Sequence, residues 1–83
     1  MESSFSLWLK GCEINNTEIY CLDGEGDSGF YKTQSKYMAK WNYYNTTPVY
    51  HVWVNGERIA ATTDYYSALA TWNNHKMEAV HNE

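Results

Sequence analysis

Three histidines, two cysteines and a run of alternating acids are the side chains of this 83-residue chain with chemistry to offer. His51, His75 and His81, with Cys12 or Cys21, are of metal-ligand type, but their spacing matches no zinc finger or two-histidine helical motif. His75 and His81 stand six residues apart, which puts them on different faces of a helix. They read as ordinary surface histidines, and no metal is assigned. Asp23, Glu25 and Asp27 alternate with glycines ahead of Ser28 and Gly29, as oxygen donors do in a calcium loop. The bidentate Glu that closes such a loop is missing: the twelfth position from Asp23 is Gln34. The acids read instead as a solvated, flexible loop whose charge would steer a basic partner. Neither cysteine has a glycine elbow around it, and a mobile loop is a poor platform for positioned acid–base work. No catalytic residue and no cofactor are assigned, and the chain is expected not to be an enzyme.

The remaining candidates are aromatic and basic. They depend on the elements that carry them. Asn55-Gly56 between two β-prone runs predicts a hairpin, because a type I′ turn needs φ > 0 at both central residues. A two-residue loop there opposes Val54 with Glu57, Trp53 with Arg58, Val52 with Ile59, His51 with Ala60 and Tyr50 with Ala61. Opposed side chains share a face. Tyr50, Val52, Val54, Ile59 and Ala61 then form the core face. His51, Trp53, Arg58 and Ala60 form the other, with Trp53 stacked under the Arg58 guanidinium. Thr62, Thr63 or Asp64 caps a following helix whose stripe is Tyr65, Ala68, Leu69 and Trp72. Asn73-Asn74 would fray or end that helix, or Lys76 to Val80 would continue it.

Elsewhere the pattern is less local. Phe5 to Leu9 alternates like a strand, yet Phe5, Trp8, Leu9 and Cys12 also fit a helix starting at Ser3 or Ser4. LWLKGCEI (7–14) aligns without gaps on VWVNGERI (52–59), and MAKWN (38–42) on LATWN (69–73). This suggests a hairpin–helix pseudo-repeat, with Lys10-Gly11 as a second tight turn. Thr17 to Leu22 reads as a further strand. Tyr37, Met38, Trp41 and Tyr44 read as a helix from about Ser35 to Tyr44, broken before Pro48, with a strand at Trp41-Asn42-Tyr43-Tyr44 as the alternative. Lys32, Lys36 and Lys40 fall at four-residue spacing, so on a helix they would make one basic stripe.

One domain spanning 1–83 is expected. Its fold class is α+β, an antiparallel sheet of about four strands with one or two helices packed on it. The aromatic fraction of 17 % is more than so small a core holds, so some rings should be exposed as binding anchors. A net charge of −4 lacks the footprint of a DNA-coating protein. Met1 to Leu9 does not read as a signal peptide, so a cytoplasmic location is expected, with Cys12 and Cys21 then as reduced thiols rather than a disulfide.

In size, acidity, aromatic content and its WVNGERIAATTDYYSALATW segment, the chain resembles the small early and counter-defence proteins of tailed phages. That resemblance implies a sheet-plus-helix fold and a phage-encoded, non-enzymatic inhibitor. It would bind and block a host defence protein or ribonucleoprotein, as anti-CRISPR or anti-toxin proteins do. Trp53, Arg58, His51, Asp23, Glu25 and Asp27 are the candidate partner-binding residues. An alternative is an RNA-binding module using Lys32, Lys36, Lys40, Trp53 and Arg58. A third is a structural subunit of a larger assembly, with a homodimer among the partners considered.

Overall fold

A computed structural model describes residues 3–81, with side chains through 78. In order come α1 (Ser4–Ile14), β1 (Thr17–Glu25), β2 (Ser28–Ala39), β3 (Asn42–Asn45), β4 (Val49–Val54), β5 (Glu57–Thr62) and α2 (Tyr65–His81). The expected α+β class holds: the five strands form an antiparallel sheet in the order β1-β2-β4-β5, with β3 paired to the far end of β2. No helix among the described residues is long and apolar enough to cross a membrane.

The two helices lie on opposite faces of the sheet. Side chains alternate along a strand, so Phe30 and Val52 point one way while Tyr31 and Trp53 point the other. Phe30 and Val52 pack with Ala68 and Trp72 of α2. Tyr31 and Trp53 pack with Phe5, Trp8 and Leu9 of α1. The hairpin at Asn55-Gly56 forms as read, with φ of 51° and 82°. Asp64 is the cap of α2: its Oδ1 accepts from Tyr66 N at 3.1 Å and its Oδ2 from Ser67 Oγ at 2.6 Å.

Three readings are corrected. The 7–14 segment is helix, not hairpin, so the pseudo-repeat does not extend to structure. Ser3 caps it, accepting from Ser6 N at 3.1 Å, and Phe5, Trp8 and Cys12 face inward at helical spacing. Lys10-Gly11 is mid-helix, and the chain turns instead at Asn16, where φ is 54°. Ser35 to Tyr44 is strand, turn and strand. Pairing of Ser35 with Thr17 on one side, and Thr46 N donating to Ser35 O at 2.7 Å on the other, overrides the local helical spacing. A bulge shifts the β4–β5 register, so that Val52 opposes Ala60 and His51 opposes Ala61. Ile59 is therefore 47 % exposed, and the smaller Ala60 packs on the core in its place. Of the two ends considered for α2, the longer one holds: the helix runs through Asn73-Asn74 to His81. Any ligand role of the His81 side chain lies outside the described side chains.

One glycine holds the α2 side together. Gly24 has φ +77°, and an added Cβ would stand 2.5 Å from Ser28 O, 2.8 Å from Gly29 Cα and 3.0 Å from Trp72. Gly24→Ala is expected to lose about 2–4 kcal/mol in urea unfolding, from left-handed strain together with overpacking. Gly26, at φ +59° with open space around it, should lose only about 1 kcal/mol as alanine.

Candidate binding surfaces

The expected surface anchors divide sharply. Trp53 is 3 % and His51 6 % exposed, so neither is the surface anchor anticipated. The cause is α1, which lays Phe5 at 5.3 Å and Trp8 at 5.2 Å from the Trp53 ring, and Trp8 at 5.0 Å from His51. Arg58 stays exposed with its guanidinium 5.7 Å from the Trp53 ring centre, so the anticipated stack exists at the rim of a core. His51 Nε2 bonds the Thr33 hydroxyl at 2.8 Å. Burial, with a smaller contribution from the Arg58 charge, pushes its pKa down to about 4.

The lysines do not form a helical stripe. Lys32 and Lys36 share the α2-side face of β2, the one with its Nζ 4.9 Å over the Tyr20 ring, the other paired with Glu18 at 3.6 Å. Lys40 is in a turn. Trp53 and these two lysines occupy opposite sheet faces, so the five-residue RNA surface is not one surface.

The acids are not on a flexible loop either. They lie in β1 and its turn to β2, which is fastened to the neighbouring turn by Gly56 N donating to Asp27 O at 2.9 Å and Asn55 N to Ser28 Oγ at 2.9 Å. Asp23 is committed to α2: its Oδ2 accepts from Trp72 Nε1 at 2.6 Å and Lys76 Nζ at 3.0 Å. Those hydrogen bonds, the Trp72 one foremost, lower its pKa to about 2. Glu25 and Asp27 remain exposed at that end. Among the described residues no three His, Cys, Asp or Glu side chains converge on a metal-sized site.

Sequence reasoning missed the most prominent surface feature. Residues 36–39 of β2 lie beyond the start of β1, which opposes Ser35, and beyond β4, which reaches only Thr33. They pair with β3 alone, through Lys36–Asn45, Tyr37–Tyr44, Met38–Tyr43 and Ala39–Asn42. The result is a two-stranded arm standing off the body. Tyr37, Met38, Trp41, Tyr43 and Tyr44 are all exposed on it, Trp41 at 93 %. The Tyr37 and Tyr44 rings stack at 5.5 Å. At its tip Lys40 and Trp41 have φ of 50° and 71°. Non-glycine residues there cost about 1–2 kcal/mol each, a strain that puts an indole at the extreme end of the fold. The hint in the sequence was β-prone Tyr43-Tyr44 followed by the Pro48 break; the turn itself lacks the usual Asn-Gly.

A second feature lies at the opposite end. An open cleft of about 530 Å³ runs between α1 and the β4–β5 turn, lined by Ser4, Leu7, Trp8, Trp53, Glu57 and Arg58 among others.

Comparison of the chain with known protein families, with curated proteins and with solved structures finds no match.

Proposed function

We propose that this chain is a small non-enzymatic inhibitor that inserts its β2–β3 arm into a concave site on a host protein or ribonucleoprotein and so blocks it. The exposed aromatic arm carries the reading. Tyr, Trp and Met are the residues enriched at the centres of protein interfaces, and Trp and Tyr supply most hot spots. A two-stranded hairpin is only marginally stable by itself in water, so an arm held out from the body gains most when a partner covers it. Strain kept at an exposed position, here Lys40 and Trp41, marks functional sites. The phage-encoded, cytoplasmic setting rests on the resemblance of the sequence. Glu25 and Asp27 sit at the end away from the arm, where their role would be to orient a partner during approach.

The test is capture from bacterial lysate by tagged wild-type chain and by Trp41→Ala, each with and without nuclease. Trp41 packs on little, so its removal should shift stability by no more than about 0.5 kcal/mol. A hot-spot loss of about 2 kcal/mol or more would weaken capture about 30-fold. A partner held by the wild type after nuclease treatment and lost by Trp41→Ala is the expected outcome. Equal capture by both chains would refute the arm's role, and loss on nuclease treatment would make RNA the partner.

A further inference from the structure

The arm tip and the α1 cleft lie at opposite ends of the molecule. β2 begins at Ser28, beside the Asn55-Gly56 turn, and runs away from it to Ala39. The tip therefore stands at one end of a body 54 Å in its longest dimension, and the cleft beside Gly56 at the other. No chain can fill its own cleft with its own arm.

The two features are complementary. The tip offers an exposed indole, Trp41, next to a cation, Lys40. The cleft offers the aromatic wall of Trp8 and Trp53, the exposed aliphatic Leu7, a carboxylate at Glu57 and the Arg58 guanidinium. Its volume falls within the range of sites that enclose small organic groups, roughly 300–1,000 Å³. Lys40 stands at the tip of an arm (36–45) that holds no acid, its other lysine, Lys36, being paired with Glu18 at the base, while Glu25, Asp27 and Glu57 gather around the two turns at the cleft end. Opposite charges thus meet when the molecules line up head to tail.

We propose that the arm tip of one copy docks in the α1 cleft of a second copy, with Trp41 stacking on the free side of Arg58 and Lys40 facing Glu57. This rests on the reading that the arm is a docking element and names one occupant for it. The contact is heterologous: each copy presents a free arm at one end and a free cleft at the other, so it grows into rings or open chains rather than closing as a twofold dimer. The same arm cannot serve a second copy and a host target at once, so assembly would hold the inhibitor in reserve.

Sedimentation equilibrium in low salt decides it. The wild type should exceed its 9.7 kDa monomer mass as concentration rises through the micromolar range, and high salt should reverse this. Two variants, each disabled at one end, supply the sharper test. Trp41→Ala lacks the anchor but keeps the cleft. Leu7→Arg with Glu57→Lys keeps the arm but repels Lys40 from the cleft, and all three positions are exposed enough to leave the fold intact, as circular dichroism would check. Each variant alone should remain monomeric. Their equimolar mixture should reach about 19 kDa, twice the monomer, and stop there. A wild type that stays at monomer mass, or a mixture that does not associate, overturns the proposal. A monomeric wild type that still captures a host partner through Trp41 would overturn this inference alone and leave the proposed function standing.

Discussion

Replacing Trp53 with alanine is expected to destabilise the fold by about 3 kcal/mol, toward the lower end of the 3–5 kcal/mol typical of buried Trp→Ala changes. The ring is the centre of the α1-side core, touching Phe5 and Trp8 and lying in one cluster with Tyr31. Its loss would leave a cavity that α1 could close only in part. Two effects moderate the cost. The Trp53 Nε1–H is buried and finds no acceptor among the described residues, a desolvation penalty that the truncation removes. Arg58 is also freed to hydrate. Trp53→Phe should recover most of the loss, since it restores an aromatic body and deletes the orphaned donor. A domain of this length has about 4–12 kcal/mol in hand, so Trp53→Ala should be folded but with a urea midpoint far below wild type. The contrast with Trp41→Ala, which should leave that midpoint almost unmoved, separates a core indole from a docking indole. If Trp53→Ala cost less than about 1 kcal/mol, α1 would not be seated on the sheet as described.

That contrast also shows where the sequence was readable. The Asn55-Gly56 turn and the Asp64 cap are decided within four residues of chain, by φ sign and by one side-chain oxygen, so the turn was found and the cap narrowed to Thr62, Thr63 or Asp64. The stripe of α2 was found for the same reason. The register beyond Trp53 was not, because the bulge that exposes Ile59 responds to what α2 will accommodate against Ala60, a contact between distant segments. The N-terminal segment carries strand-like alternation and helix-like spacing together, and only the Ser3 cap and the sheet beneath it decide between them. Leaving α1 undecided had a further consequence. With no helix over the His51 and Trp53 face, those residues looked like surface anchors. The true exposed aromatics were hidden because Tyr37, Met38, Trp41 and Tyr44 satisfy helical spacing by coincidence. The pairing that makes them strand comes from β3, across a turn of Lys40-Trp41 that carries no turn residue of the usual kind.

The burial of His51 has its own measurable consequence: stability should fall as pH drops from 6.5 toward 4. The imidazole is pushed from its ordinary 6.5 to about 4 by burial beneath Trp8, with Arg58 opposing the added charge. The unfolded chain then binds a proton that the folded chain refuses throughout that interval, so folding free energy declines with falling pH and levels off below about 4. At about 1.4 kcal/mol per pKa unit the ceiling is about 3 kcal/mol. Solvent screening under a single covering helix brings the expected loss to about 1–2 kcal/mol between pH 7 and pH 5. The lowered carboxylates do not confuse the range from pH 7 to pH 5. Asp23, held at about 2 by Trp72 and Lys76, contributes stability that is lost only as pH falls from 3.8 toward 2. Asp64 and Glu18, also lowered, likewise lose theirs only at and below ordinary carboxylate values. Urea unfolding of the wild type and of His51→Gln at pH 7, 6 and 5 separates the causes. The variant should be less stable at pH 7, because it disturbs the bond to Thr33, yet its stability should be nearly flat across the interval. An equal slope in both chains would assign the acid sensitivity to other groups and place His51 in contact with water.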